Sequence, residues 1–204
     1  MELRGVVLHS TSFDESSRVV ELLTAEEGRL ACVARGARAS KRRFVGGLDL
    51  FATLAVEVVP GGNLWRLERA SVVDARLGIR ASLEAFERAG RITECARALS
   101  NAHQRSAEQM TALEAGLDAC ARADVKSAIA AYPLLLTAAG IMPDEDALVC
   151  APEVLSAFLS GDAPNAAIAD AAEALAMKWI ENHLGHPLKT RVTPVAGGDK
   201  RTRQ

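Results

Sequence analysis

Six basic residues, Arg29, Arg35, Arg38, Lys41, Arg42 and Arg43, fall within fifteen positions, and no Asp or Glu interrupts them. Such a group can neutralise several phosphates of a polyanion. The whole chain has a net charge of −2, so any pull on nucleic acid must come from local clustering of this kind. With about 4–6 phosphates engaged, log K would fall with log salt at a slope of roughly −3 to −5. Gly36, Ser40, Gly46 and Gly47 let the backbone approach a phosphate and offer it amides. Phe13, Phe44, Phe51 and Trp65 lie in or beside the same region. An exposed ring can stack a base for about 1–3 kcal/mol, and a buried one only fills core. Phe51 is assigned to the core, while Phe44 and Trp65 are open between the core and a nucleic-acid face.

Other chemistry finds little support. The chain has no G-x-x-x-x-G-K-[ST] phosphate loop, no G-x-G-x-x-G, no H-E-x-x-H and no G-x-S-x-G, so no catalytic residues are assigned and no enzyme is expected. His183-x-x-His186 could share a helix face, but Gly185 and Pro187 mark a helix end there. Asp144-Glu145-Asp146 lacks the later glycine and glutamate of a calcium loop and reads as a solvated turn. Cys32, Cys95, Cys120 and Cys150 are scattered, without the close pairs of structural zinc, so buried thiols and no metal or cofactor are expected. With no signal-peptide pattern and no apolar run near the ~18–20 residues of a membrane span, the chain reads as cytoplasmic and membrane-free.

The elements that would position the basic stretch are legible. Five short apolar runs, "LRGVVLHS", "RVVELLT", "RLACVARG", "LDLFATLAVEVV" and "LWRLERASVVDA", alternate with turn signals at Glu26-Glu27-Gly28 and Pro60-Gly61-Gly62-Asn63. Leu54, Val56 and Val58 alternate with Ala55, Glu57 and Val59. Five strands with an interruption between the third and fourth suit a small OB-type barrel. From Ser82 the chain turns Ala-, Leu- and Glu-rich and predicts helices. In the first of these, Leu83, Phe86, Ala89, Ala96 and Leu99 fall near one face. Pro133 should break a later helix. A short helix should run from Pro152 to Gly161, and a long one should end near Gly185. The expected fold class is therefore α+β. An OB-fold domain (1–80) precedes an all-helical domain (81–188) and a basic, disordered tail (189–204). Eight acids against Lys178 alone between Asp144 and Glu181 make the charge layout dipolar.

The run from Gly5-Val6-Val7-Leu8 through Thr24-x-x-x-Gly28-Arg29, Ala34-Arg35-Gly36-Ala37-Arg38, Ser40-Lys41 and Leu67-Glu68-Arg69-Ala70 resembles the N-terminal domain of the RecO family of bacterial recombination mediators. The ending "HLGHPLKTR" is similar to that family's last helix. The resemblance implies an OB domain followed by helices. It also implies binding of single- and double-stranded DNA, annealing of complementary strands, and loading of RecA, together with RecR, onto strands coated with single-strand binding protein, whose acidic C-terminal tail is a further partner. A nucleoid-associated location goes with these roles. By motif position Arg35, Arg38, Lys41, Arg42 and Arg43 are the implied phosphate contacts. With Arg29, Phe44 and Trp65 they make up the candidate DNA-binding set. Many members carry a four-cysteine zinc element after a Gly-x-x-Pro segment. Here Cys150 follows Gly140-Ile141-Met142-Pro143 without partner cysteines, which implies a branch without the metal.

Two other readings fit the charge pattern. The barrel and helices could form an interaction module whose basic loop docks an acidic partner peptide. An OB barrel can equally bind RNA.

Overall fold

The computed structural model describes residues 1–40, 42–62 and 64–190. Lys41 and most of the C-terminal tail lie outside them. The five expected strands form as β1 (Glu2–Ser12), β2 (Arg18–Thr24), β3 (Gly28–Ala34), β5 (Thr53–Val59) and β6 (Trp65–Asp74). β1 pairs antiparallel with β2 and with β5, β2 with β3, and β5 with β6. The barrel closes where β6 lies parallel to β3, with Cys32 opposite Trp65 and Val33 opposite Arg66. A two-residue strand, β4 (Phe44–Val45), joins β6 in parallel with Phe44 opposite Ala70. It was not expected, because two residues in a Gly- and Arg-rich segment show no periodicity.

Side-chain alternation sets the barrel interior. In β3, Leu30, Cys32 and Ala34 are buried and the residues between them half-buried, the period of two that a pleated strand imposes. In β5 the expected Leu54, Val56 and Val58 point inward.

The helices are α1 (Leu83–Leu99), α2 (Ala107–Ala121), α3 (Val125–Ala128), α4 (Ala131–Ala138), α5 (Pro152–Ser160) and α6 (Ala166–Leu184). Pro133 sits in the first turn of α4, where its missing amide has no intrahelical acceptor, and the break falls just upstream between α3 and α4. Asn165 caps α6 by accepting from the Ile168 amide at 3.0 Å. Gly185, at φ 73°, ends that helix, so His183 lies in its last turn and His186 beyond it. The pair does not share a helix face. The buried face of α1 differs from expectation. Ala89, Ala96 and Leu99 are buried, but Leu83 is 74% exposed, and Arg88 and Arg91 are inside.

The barrel interior has its own core, which includes Leu22, Leu30, Leu54 and Leu67, and one side of the barrel joins the core of the helices. Val6, Leu8, Leu23 and Phe51 from the barrel pack with Ile79, Ile92, Leu113 and Leu117 from the helical part. Arg76, buried at φ 43°, ties the junction. Its Nη1 donates to Phe51 O and Thr53 Oγ1, both at 2.8 Å, and its Nε to Asp118 Oδ1 at 2.6 Å. The β2–β3 turn comes so near the α1–α2 connection that a Cβ on Gly28 (φ +63°) would lie 2.1 Å from Gln104 O. Only glycine fits there.

Candidate nucleic-acid interface

The segment after β3 is a series of tight turns. Gly36 adopts φ +65°, and its carbonyl accepts from Ala39 N at 3.1 Å and Ser40 N at 3.0 Å. Two arginines of the segment hold it in place. Arg38 N donates to Ser16 O at 3.0 Å, and its guanidinium reaches Glu15 O at 3.4 Å and Ser12 Oγ. This pins the segment to the β1–β2 loop. Arg43 donates to Arg35 O and lies over the Phe44 ring, 5.1 Å from its centroid, a cation–π arrangement. Arg35 and Arg42 project into solvent.

Charge pairing separates these residues from the other arginines of the barrel. Arg4 meets Glu114 at 2.8 Å, Arg29 meets Glu21 at 3.9 Å, Arg69 meets Glu57 at 3.6 Å, and Arg66 is paired with Glu68. Among the described residues, no carboxylate lies within 4.0 Å of Arg35, Arg38, Arg42 or Arg43. Arg18 has none either. It stands opposite Ser12 on β1 and Ala34 on β3, next to the loop. Its Nε, like Ser10 Oγ, is enclosed without a partner. The Arg18 side chain lines a hollow with Asp49, Arg80 and Phe86, whereas Arg42 and Arg43 line another with Glu2, Glu57 and Arg69. The Asp14 carboxylate in the β1–β2 loop accepts from Ser16 N at 2.8 Å and Ser17 N at 2.6 Å. The Ser16 amide first, then the Ser17 hydroxyl and amide, hold its pKa below the usual carboxylate value. Its charge therefore serves the loop's own backbone.

The expected set divides accordingly. Arg35, Arg38, Arg42 and Arg43 come together, and Lys41 lies outside the described residues. Arg29 stands apart. It lies six positions before Arg35, about 20 Å at the strand rise, and it flanks the Glu21–Arg97 pair beside the helices. Phe44 corrects its assignment. At 4% exposure its ring is barrel core and offers no face to a base, so its contribution to the surface is to carry Arg43. Trp65 is half-buried against the barrel core, with its ring 6.1 Å from that of His103 on the α1–α2 connection. It lies five residues along β6 from the Phe44–Ala70 pairing, away from the loop. Phe51 is core, as expected, at 3% exposure. Arg18 escaped the sequence reading of the site, and Phe13, noted among the nearby rings, was left out of the candidate set. Arg18 is an isolated base in sequence, and only strand register brings it to the loop. Phe13 is 64% exposed on the β1–β2 loop. Its place among turn residues, flanked by Asp14 and Ser12, was the available signal.

Metal chemistry has no foothold among the described residues, where no three His, Cys, Asp or Glu side chains gather. Burial pushes the Cys32 and Cys120 thiols up to about 12 and raises that of Cys95 as well. These thiols stay protonated and inert. No helix among the described residues is long and apolar enough to cross a membrane.

The family model for the N-terminal part of recombination protein O matches residues 1–76, which hold the barrel and the arginine loop. Residues 1–76 are a RecO N-terminal domain. The DNA repair protein RecO of Anaeromyxobacter sp. (strain K) is 43% identical over 151 residues, covering 72% of this chain and 59% of the relative. That of Myxococcus xanthus is 38% identical over 148 residues, covering 70% and 59%. That of Geobacter metallireducens is 39% identical over 90 residues, covering 44% and 37%. The matched part of the chain thus spans about three-fifths of the length of the first two RecO relatives. The closed barrel followed by helices is the arrangement expected of a RecO chain.

Proposed function

We propose that this chain is a DNA-binding mediator of repair and recombination that works by holding strands and has no catalytic centre. One observation carries the reading: Arg35, Arg38, Arg42 and Arg43 share one short segment with no carboxylate within 4.0 Å among the described residues, while Arg4, Arg29, Arg66 and Arg69 are paired. A patch of this kind attracts phosphate without reading bases, so it serves single and double strands alike. It lowers the repulsion between two backbones and raises their local concentration. Base pairing then drives annealing without any catalytic group. The relatives named DNA repair protein RecO support the same assignment. Cooperation with RecR, loading of RecA and contact with the tail of single-strand binding protein belong to this proposal as the family's wider role.

The test is charge reversal at two exposed arginines whose side chains make no hydrogen bond among the described residues, Arg35→Glu with Arg42→Glu. Binding to a labelled oligonucleotide should fall below detection at 0.15 M salt, while thermal unfolding stays where it was, because neither side chain packs in the core. The unaltered protein should lose affinity with rising salt at a slope of roughly −3 to −5. Equal affinity and an equal slope in the two proteins would remove the loop from the DNA site.

A further inference from the structure

Phe13 is a large apolar side chain left in water on a loop whose backbone is tied down, with the Glu15 side chain also exposed. Its ring is 64% exposed, yet its backbone is fixed by Phe13 N donating to Ser17 O at 3.0 Å. Asp14 closes the turn behind it through the Ser16 and Ser17 amides. Arg38 brackets it from both sides, gripping Ser12 Oγ before it and the Ser16 and Glu15 carbonyls after it. Gly36 N adds a bond to Ser17 Oγ at 3.4 Å. A flat apolar face is therefore presented rigidly beside the unpaired arginines, and no core residue covers it.

Resting on the proposed DNA reading, we infer that Phe13 is the base-stacking platform of this surface and gives it a preference for unpaired bases. Phosphates of a bound strand sit on Arg35 and Arg42, and an adjacent base turns onto the Phe13 ring. Every base has a π-face, so the contact is indifferent to sequence. In a duplex the bases are stacked on one another and cannot reach the ring, so only a single strand gains from it. A preorganised loop makes the gain larger, since little loop freedom is lost on binding.

The experiment uses the full chain and three labelled probes of equal length: an oligothymidylate, a duplex, and an abasic strand that keeps the phosphates without bases. Phe13→Ala should weaken oligothymidylate binding about tenfold or more. Duplex and abasic affinities should stay within twofold, and so should the salt slope. Phe13→Trp should restore single-strand binding, with its indole emission quenched as the strand is added. An exposed side chain carries little packing, so thermal unfolding of both variants should match the parent. Unchanged oligothymidylate affinity in Phe13→Ala would overturn the stacking role. An equal loss on all three probes would overturn it too, since the residue would then only shape the loop. Should the unaltered protein bind none of the probes, the DNA reading itself fails, a result distinct from either.

Discussion

Arg88 and Arg91 on α1 are sealed in the helical core, and both guanidiniums converge at 3.0 Å on one carboxylate, Glu173 of α6. Arg35 and Arg42 stand on the barrel loop in water, with no carboxylate within 4.0 Å among the described residues. In sequence both groups are close-set arginines. What separates them is a partner more than eighty residues away in the first case and none in the second. The buried group is completed by Asp170, 2.5 Å from Arg88, and by the Tyr132 hydroxyl, which donates to Glu173. Burial first, and then the charge of Glu173, raise the Tyr132 pKa and keep that hydroxyl a donor. These charges are neutralised by one another, although Arg88 Nε and Arg91 Nε are enclosed without a partner, and the set specifies how α1, α4 and α6 meet. The loop arginines are the converse. Arg35 and Arg42 carry their charge at the surface with no carboxylate beside them among the described residues.

The largest break in this comparison comes from Glu173→Gln. Removing the charge leaves Arg91 buried without a carboxylate and Arg88 with Asp170 as its main partner, a loss of about 3 kcal/mol. Urea unfolding should show a much lower midpoint. An unchanged midpoint would mean that water reaches the pair and that the two arginine groups do not differ as described. The Arg35→Glu and Arg42→Glu pair should do the reverse, abolishing DNA binding with the unfolding midpoint unmoved.

This difference also explains what was legible in the sequence. The five long strands were readable because a pleated strand buries every second residue, as Leu54, Val56 and Val58 show. The ends of α5 and α6 were readable because Pro152, Gly161 and Gly185 act locally. The inner face of α1 was not, since burying Arg88 and Arg91 depends on Glu173, which no local pattern announces. Phe86, exposed on α1, rests edge-on against Phe51 of the barrel at 5.3 Å instead of facing the helical core. For the candidate site, the cluster Arg35–Arg43 was visible as charge. The placing of Arg18 opposite Ala34 and the burial of Phe44 beside Ala70 were decided by register. Arg29 looked like a member of the cluster only because its acid, Glu21, comes from the neighbouring strand.

A smaller effect probes that paired side of the comparison. Glu21 accepts from Arg97 at 2.5 and 2.8 Å, which ties β2 to α1, and Arg29 adds a weaker contact. The hydrogen bonds from Arg97 are the main cause holding the Glu21 pKa below its ordinary 4.5, against the opposing effect of burial. A carboxylate whose folded pKa is depressed adds stability that is fully present above the unfolded value. That stability is lost as pH falls through the folded one. Glu21→Gln should therefore cost about 1 kcal/mol at pH 7, where the pair is intact. The gap between variant and parent should close as the pH drops from 4.5 to below the depressed pKa. Denaturant titrations at pH 7, 5 and 3 measure it, and a gap that stays constant over that range would mean that Glu21 is not ionised in the folded protein.

The smallest expected effect is the most discriminating. Arg29 belongs to the same sequence cluster as Arg35, yet it sits by Glu21 at the helix-facing side of the barrel, about six residues of strand away. If pairing by acids decides which arginines bind phosphate, Arg29→Ala should leave the salt slope of DNA binding unchanged. Arg35→Ala should reduce it by about 0.7–0.9, the contribution of one phosphate contact. Comparing the two slopes over 0.05–0.3 M salt holds residue type and net charge change constant, so only location differs. Equal reductions would mean that the bound strand runs the length of β3 and draws Arg29 away from Glu21, and the interface would then extend along the strand to the α1–α2 connection.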